Sequence, residues 1–325
     1  MRLKRNRPGL PGSQPYCRSV VTIGNFDGVH RGHQALVARA HECTLPGEQL
    51  AVVTFEPLPQ AFFRPEQAPA RLSTVRQKLV LLSNLRVDLC WMMRFDQLLS
   101  QLDAVEFVQQ VLLDDLAVRH VVVGEDFRFG HKRAGNLELL VSLGQENGFS
   151  VETVAPVLQA GERISSTSIR QALAASDFSE AATMLGRPFR MDGRVVMGQQ
   201  LGRKLGYPTA NLRVGAQPCP IHGIFAVHAR RCESGGSQAW LPGVASLGRR
   251  PTVGGKELLL EVHLFDFAAD LYRQRLQVEF VAKLRDEMHF ENVDSMLVHM
   301  KRDETQARQI LASHSILQSE TSQPF

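Results

Sequence analysis

The chain has 325 residues, of which 44% are hydrophobic and 22% are charged, a composition typical of a soluble globular enzyme or binding protein. This length is too great for one ordinary compact core and predicts two domains. The net charge of +4 is small and the basic residues are scattered, which argues against nucleic acid as the main ligand and leaves anionic small molecules open.

The five cysteines are odd in number, widely spaced and never in a CxxC pair. This pattern predicts neither a disulfide framework nor a zinc site, and it fits the reduced cytosol. Residues 1–12 are basic and rich in proline and glycine but lack the apolar segment of a signal peptide, and no apolar run is long enough to span a membrane. We therefore expect a cytoplasmic protein with no membrane partner and with no obligate protein partner evident.

Short apolar runs alternate with helical patterns in the first half of the chain. We predict strands at 19–24, 49–55, 87–95 and 118–124, each followed by a helix, at 32–43, 73–85, 103–116 and 136–147. Asp103 with Glu106 resembles a capping box, which supports the start of the third helix. The alternation predicts an α/β domain in which helices cover both faces of a parallel sheet.

The pattern changes to a period of two in the second half. We predict five strands, at 193–197, 223–230, 239–247, 258–267 and 276–281, followed by a helix at 293–313. Short strands with one terminal helix indicate a small antiparallel β-barrel. The glycine and proline of Gly186-Arg187-Pro188 separate the two patterns, so we place the domains at 1–186 and 187–325.

Four polar segments of the first half fall where a strand ends. They are residues 24–33, 55–57, 124–130 and 164–170. Because the carboxyl ends of parallel strands form the ligand crevice of an open sheet, we expect these distant segments to meet at one site.

The segment 24–33 places two histidines, His30 and His33, where a strand gives way to a helix. Gly24 and Gly28 allow a tight turn and a close approach of backbone to phosphate, and the helix start offers free N–H groups. The histidines can then stabilise charge during displacement at an α-phosphate. A pair of structural histidines is the weaker interpretation because of the flanking Asn-Phe-Asp-Gly-Val, and a zinc site with Asp27 lacks a further ligand cluster.

Two further segments carry weaker signals. In residues 165–170, hydroxyl groups at a helix start precede Arg170, and together they could bind a polyphosphate. The alternative is an ordinary serine N-cap followed by a solvated arginine. Arg128 and the run 131–133 could face phosphate or form a solvated charge run.

The segments GNFDGVHRGH, VVVGEDFRFGHKRAGN and ISSTSIR, in this order, resemble the adenylyltransferase module of the bacterial bifunctional riboflavin kinase/FMN adenylyltransferase family, within the HxGH nucleotidylyltransferase superfamily. The resemblance implies a Rossmann-like module that transfers AMP from ATP to FMN and yields FAD and pyrophosphate. It implies His30 and His33 as catalytic residues. The implied ATP-binding residues are Gly24, Asn25, Phe26, Asp27, Gly28, His30, His33, Ser166, Thr167 and Arg170, and the implied flavin- or ATP-binding loop contains Asp126, Phe127 and Arg128.

Residues 193–211 of the second half are unusually dense in glycine. They do not form a Walker A motif, but the N–H groups of such a loop could surround ATP phosphates. The Thr209 hydroxyl and the Asn211 amide oxygen could then reach a magnesium ion. The alternative is a glycine-rich hairpin with Pro208 and Thr209 in its turn.

Residues 258–265 alternate, so Glu261, His263 and Phe265 are expected on one side of a strand. The apolar residues of the other side are Leu260, Val262 and Leu264. A strand carboxylate that faces a pocket can accept the proton of an attacking hydroxyl. A solvated glutamate on an edge strand is the alternative.

The segments GRKLGYPTAN, GIFAV, GVASLGRRPTVGG, LEVHLFDFAADLY and VEFVAKLRDEMHF look like the riboflavin kinase module of the same family, so that the resemblance extends over about residues 20–300. It implies Glu261 as the base that activates the riboflavin ribityl hydroxyl, with Thr209 and Asn211 as magnesium ligands. The implied ATP-binding residues are Gly198, Gly202, Lys204, Gly206, Pro208, Thr209 and Asn211. The family usually carries glycine after the DLY triplet, where this chain has Arg273.

The leading hypothesis is a two-module enzyme that phosphorylates riboflavin with ATP and Mg²⁺ to FMN and then adenylylates FMN to FAD. Its partners would be flavins and ATP, with no nucleic acid. The alternative is a catalytically idle flavin or nucleotide carrier, or a regulatory protein that binds RNA through the barrel. The barrel strands lack the interleaved basic and aromatic residues that RNA binding would require.

Overall fold

The computed structural model describes residues 1–8, 17–198, 205–214, 218–232, 239–252 and 255–314. The chain forms two compact units: residues 1–69 with 75–166, and residues 70–74 with the described residues from 167 onward. None of the helices in these ranges is both long enough and apolar enough to cross a membrane.

The first unit contains a six-stranded sheet and its covering helices. Its strands are β1 (Arg2–Lys4), β2 (Ser19–Ile23), β3 (Gln49–Glu56), β4 (Leu89–Arg94), β5 (Val118–Gly124) and β6 (Ser150–Val154), with a short pair, β7 (Leu158–Gln159) and β8 (Glu162–Arg163). Its helices are α1 (Arg31–Glu42), α2 (Pro59–Phe63), α3 (Val75–Asn84), α4 (Gln97–Gln101), α5 (Ala104–Phe107) and α6 (Leu137–Asn147).

The sheet has the strand order β1-β4-β3-β2-β5-β6, and every pairing is parallel. The predicted parallel sheet is therefore confirmed. Alternate residues of its strands enter two separate cores: Val21 and Val53 lie in one, and Val20 and Val52 lie in the other. The chain reverses its direction of winding between β2 and β5, which makes the carboxyl end of these strands the expected ligand crevice.

Local sequence signals account for several helix ends. The Asp103 carboxylate accepts from the Glu106 amide and the Glu106 side chain accepts from the Asp103 amide, so the predicted capping box is present. The helix predicted at 103–116 changes after Phe107 into a π-helical segment, Val108–Asp114. Asn136 caps α6, which ends at Gly148 in the left-handed conformation.

The second unit is an antiparallel barrel with helices at both ends of its sequence. Its elements are α7, which begins at the join (Ser166–Ala174), α8 (Phe178–Leu185), β9 (Arg190–Val196), β10 (Ala210–Arg213), β11 (Gly223–Arg231), β12 (Leu241–Thr252), β13 (Gly255–Leu264), β14 (Arg275–Arg285) and α9 (Val293–Ser313). The six strands close in the order β10-β13-β12-β11-β14-β9. The sequence predicted five strands, because β10 has only four residues and lies inside the glycine-dense segment.

Two helices pack on the barrel. Phe178 of α8 stacks with Phe280 and meets Phe225 edge-on, while Ala307 and Leu311 of α9 belong to an apolar cluster with residues of the barrel strands. Gly186 ends α8 with φ +70°, as its glycine predicted. Arg273 has φ +64°, in the left-handed region that favours glycine, at the position where the family usually carries that residue.

Candidate functional site

The loop between β2 and α1 is held in an unusual backbone conformation. Phe26, Gly28 and Val29 have φ values of +47°, +77° and +41°. A positive φ is rare for a β-branched residue such as Val29, so the surrounding structure must hold it. Phe26 and Val29 are both buried among the residues of α1, α3 and the sheet. The loop is thus a fixed element of the first unit.

Side chains from three elements hold the carbonyl groups of this loop. Lys78 Nζ donates to the Asn25 carbonyl at 2.7 Å, and the Thr54 hydroxyl donates to the same oxygen at 3.0 Å. The Ser166 hydroxyl donates to the Asp27 carbonyl at 3.2 Å. These hydrogen bonds fix the backbone that leads into α1.

The two predicted histidines lie together at the start of α1. His30 is the N-cap of this helix, and its ring stacks on that of His33 with 3.7 Å between the ring centroids. Phe26 packs against His33 at 4.8 Å, and Gly32 leaves room for the His30 ring. The structure therefore brings His30 and His33 together at a helix amino end. Among the described residues, Asp27 does not join them in a cluster of metal ligands.

The loop after β5 carries Asp126, Phe127 and Arg128. Both carboxylate oxygens of Asp126 accept from Arg163, at 2.8 and 3.0 Å, and these hydrogen bonds hold the Asp126 pKa below its ordinary value. Phe127 stacks on Phe129 and packs on the core, whereas Arg128 is exposed. Of these three residues, Arg128 offers an accessible cationic group.

The hydroxyl-rich segment begins α7. Ser166 contacts the β2–α1 loop as described, and Thr167 is exposed. Arg170 lies one turn further along in the second unit, where its Nε donates to the Ala70 carbonyl at 2.5 Å. The helix start predicted from the hydroxyl groups is thus present.

A cluster of four phenylalanine rings lies near the carboxyl ends of β3 and β4. Phe62, Phe63 and Phe95 contact one another edge-on at 5.3 to 5.6 Å, and Phe55 meets Phe95 at 5.9 Å. Phe63 is 61% exposed, an unusual state for so large an apolar ring. Sequence reasoning missed this cluster, and the only available signal was the position of Phe55 and Phe95 at strand ends.

On the barrel, Glu261 and Asn211 are direct cross-strand partners of β13 and β10. Ser246 of β12 pairs with Glu261 on its other side. Cross-strand partners share a face of the sheet, so a carboxylate, an amide and a hydroxyl form one row. The apolar side predicted for residues 258–265 is buried, while Glu261 and His263 are half-buried, so the predicted alternation is confirmed up to Leu264. Phe265, predicted on the side of Glu261, is also buried, because it packs in the apolar cluster with α9. Ser246 is a member of this row that the sequence did not indicate.

The segment that precedes β10 is anchored to the same face. His263 Nδ1 lies 2.9 Å from the Pro208 carbonyl, and the Tyr207 ring contacts the His263 ring edge-on at 5.1 Å. Burial and the neighbouring Glu304 raise the pKa of Tyr207. These contacts hold Thr209 and Asn211 next to the Glu261 row.

Gly198 packs directly on the Asn211 side chain, because a Cβ at this position would overlap with its amide group. Gly206 has φ +83° and is exposed. Two of the predicted kinase residues, Gly202 and Lys204, lie outside the described residues.

Comparisons with known proteins agree with both units. A family model described as FAD synthetase matches residues 13–168, and one described as riboflavin kinase matches residues 185–311. The bifunctional riboflavin kinase/FMN adenylyltransferase of Pseudomonas fluorescens is 46% identical over 307 residues, which cover 94% of this chain and 97% of that protein. The Escherichia coli K12 protein of the same description is 43% identical over 294 residues, which cover 89% and 92% of the two chains.

A solved structure described as a macrolide-efflux protein from Streptococcus pneumoniae is also similar. It has 29% sequence identity and a TM-score of 0.75, and the match covers 94% of this chain and 98% of that one. This similarity extends over both units.

The first unit carries paired histidines at a helix start beside a parallel sheet, and the second is a barrel with a row of carboxylate and amide side chains. Together these features define a two-module phosphate-transfer enzyme. With both family models matched and with these relatives, the chain belongs to the bifunctional riboflavin kinase/FMN adenylyltransferase family. It is a transferase with a FAD synthetase domain and a riboflavin kinase domain.

Proposed function

We propose that the barrel phosphorylates riboflavin with ATP to give FMN, and that the parallel-sheet module transfers AMP from a second ATP to FMN. The proposal rests on two separate groups of residues that suit phosphate transfer. His30 and His33 form one group in the first unit, and Glu261 and Asn211 form the other in the second unit. The functional domains assigned to these reactions are residues 1–186 and 187–325.

In the adenylyltransferase reaction, an FMN phosphate oxygen attacks the α-phosphorus of ATP, the bond to the β-phosphate oxygen breaks, and pyrophosphate leaves. His30 and His33 stabilise the charge on the transferred phosphate and on the leaving pyrophosphate. The N–H groups at the start of α1 add a partial positive charge. The proposed ATP site contains residues 24–28, His30, His33, Ser166, Thr167 and Arg170.

The flavin ring requires a planar apolar surface near this crevice. The exposed face of Phe63 supplies such a surface, because aromatic rings stack favourably on one another. Phe62 and Phe95 contact this ring edge-on, and Phe55 contacts Phe95 in turn. We assign the FMN phosphate to the side of Arg128, the exposed cation of the Asp126–Arg128 loop.

In the kinase reaction, Glu261 accepts the proton of the riboflavin ribityl hydroxyl as its oxygen attacks the γ-phosphorus of ATP, and ADP leaves. Thr209 and Asn211 present the hydroxyl and amide oxygens that suit Mg²⁺, with the Asn211 amide fixed against Gly198 next to the Glu261 row. A bound Mg²⁺ would neutralise phosphate charge there. The remaining proposed ATP-binding residues of the barrel are Gly198, Gly202, Lys204, Gly206 and Pro208.

The test uses purified protein incubated with riboflavin, ATP and Mg²⁺, with the flavins resolved by chromatography. We expect FMN followed by FAD from the parent chain. His33→Ala should accumulate FMN without FAD, because the α-phosphate loses its stabilising group while Glu261 is intact. Glu261→Ala should fail to make FMN but still convert supplied FMN to FAD.

Each variant serves as the control for the other, since each should retain one complete reaction. Loss of FMN synthesis in His33→Ala would show that the modules are assigned to the wrong reactions. A parent chain that makes neither FMN nor FAD would instead favour a flavin or nucleotide carrier.

A further inference from the structure

A second group of chemically reactive side chains lies at the opposite end of α1 from the histidine pair. Cys43 is the C-cap of α1, His120 lies on β5 and Glu152 lies on β6. A helix of twelve residues spans about 18 Å, so this group is well separated from His30. Neither proposed reaction uses any of its members.

The distances within this group suit a metal ion. Cys43 Sγ lies 3.6 Å from Glu152 Oε2, and His120 Nε2 lies 3.4 Å from the same oxygen. The three ligand atoms are all within 4.8 Å of one another. Ligands at zinc bond lengths of about 2.0–2.3 Å in a tetrahedron are separated by about 3.3–3.8 Å. Two of the three separations already have this value, and the third, between Cys43 Sγ and His120 Nε2, is at most 4.8 Å.

The orientation of His120 provides independent support. Its Nδ1 lies 2.6 Å from the Ser150 hydroxyl, which itself donates to the Arg119 carbonyl. When Nδ1 donates to this hydroxyl, the Nε2 lone pair is left for a metal ion. His120 is only 8% exposed, and Nε2 is buried without a hydrogen-bond partner. A lone pair held in this way is the arrangement that a metal-binding histidine requires.

Two arginines border the group and set the conditions for metal binding. Arg39 donates to both carboxylate oxygens of Glu152, from Nε to Oε1 at 2.6 Å and from Nη2 to Oε2 at 3.2 Å. Arg119 donates to the Cys43 carbonyl at 2.6 Å and pairs with Glu48. The Arg39 side chain is 43% exposed, so it can move to solvent and leave the carboxylate to a metal. A thiolate and a neutral imidazole are the forms that bind Zn²⁺, so binding releases the thiol proton.

We propose that Cys43, His120 and Glu152 bind one Zn²⁺ ion, with water as the fourth ligand. The ion would link the carboxyl end of α1 to β5 and β6, three elements that are distant in sequence. One thiolate, one imidazole and one carboxylate are all ligands that Zn²⁺ accepts, and the thiolate disfavours Mg²⁺ and Ca²⁺.

The test uses Co²⁺ as a spectroscopic probe on the full chain, kept reduced and stripped of metal with a chelator. We expect one equivalent of Co²⁺ to produce a thiolate-to-cobalt charge-transfer band that Zn²⁺ abolishes. Cys43→Ser should lose this band, whereas Cys232→Ser, the matched change at an exposed cysteine, should keep it. Retained FMN and FAD synthesis would verify that Cys43→Ser folds.

Two further variants separate a metal site from a structural network. Arg39→Gln should tighten Co²⁺ binding, because it removes the cation that competes for Glu152. Ser150→Ala should weaken binding by about tenfold, because Nδ1 of His120 loses its partner. The proposal is overturned if the parent shows no thiolate band, if Cys43→Ser keeps the band, or if Arg39→Gln weakens binding.

Discussion

At the scale of single residues, a buried lysine lies beneath the loop between β2 and α1. The Lys78 side chain is fully buried, and its Nζ contacts the Asn25 carbonyl and, at 3.3 Å, the Thr54 hydroxyl. A buried charge is costly unless polar groups surround it, so these contacts both stabilise the lysine and fix the loop.

We therefore predict that Lys78→Met lowers the rate of FAD formation from FMN by roughly 100-fold, the loss that a small misplacement of catalytic groups can cause. FMN synthesis from riboflavin should be unchanged. Steady-state rates of the two reactions, measured separately, check this, with Lys301→Met at an exposed position of α9 as the control. Parent-level FAD synthesis in Lys78→Met would contradict the positioning role.

Arg273 offers a prediction about stability. It holds a left-handed φ of +64° while its carbonyl accepts from Arg194 Nε, a contact that does not depend on the Arg273 side chain. Glycine removes the strain of this conformation, which adds about 1–2 kcal/mol to the free energy of unfolding. Glycine also gives the unfolded chain more freedom, which lowers the free energy of unfolding by about 0.4–1 kcal/mol.

Arg273→Gly should therefore raise the free energy of unfolding by about 0.8 kcal/mol, the middle of the range of about 0–1.6 kcal/mol that these two effects allow. Arg273→Ala removes the same side chain but keeps the Cβ, so it should give no such gain. Denaturant unfolding of both variants measures the difference. An Arg273→Gly protein no more stable than Arg273→Ala would show that the backbone here is not strained.

At the scale of elements, the kinase site depends on how closely β9 and β10 approach. Gly198 follows β9 and touches the Asn211 amide of β10, so any side chain at this position must displace that amide. Asn211 in turn stands opposite Glu261. The absence of one Cβ thus sets the position of a proposed magnesium ligand relative to the proposed base.

We predict that Gly198→Ala raises the KM for Mg-ATP in FMN synthesis about tenfold or more, while conversion of supplied FMN to FAD is unaffected. Met197→Ala, at the exposed neighbouring position, is the control and should leave both reactions intact. An unchanged KM in Gly198→Ala would mean that Asn211 does not contact the ATP–metal complex.

At the scale of the whole molecule, α8 belongs to the same compact unit as the barrel, although it precedes residue 187. Its Phe178 packs against Phe225 and Phe280. The boundary between functional domains at 186/187 stays a prediction. A fragment that begins at residue 187 lacks α8, so the barrel surface that α8 covers becomes exposed.

A fragment of residues 167–325 should consequently unfold at higher denaturant concentration than one of residues 187–325, by about 3 kcal/mol in unfolding free energy, typical for loss of a buried phenylalanine. Phe178→Ala in the longer fragment should remove most of this difference. Equal stability of the two fragments would show that α8 contributes nothing to the barrel.

The local pattern of the sequence predicted much of this molecule. Strands β2 to β5 and the helices α1, α3, α6 and α9 lie within two residues of their predicted bounds, because alternation and capping signals are local. The segment around His30 and His33 predicted a phosphate site for the same reason, since a glycine turn, two histidines and a helix start all lie within ten residues.

Only the tertiary structure decided which distant side chains meet. The pairing of Asn211 with Glu261, the burial of Lys78 under Asn25 and the group formed by Cys43, His120 and Glu152 all join residues that are 50 or more positions apart or lie on different elements. Such contacts depend on how the elements pack and, for the strand residues, on register, because a change of register by one residue would move a strand side chain to the other face of its sheet. The sequence by itself therefore determined the elements, the two modules and the histidine motif, whereas the partners of each buried or paired group depended on how the elements pack.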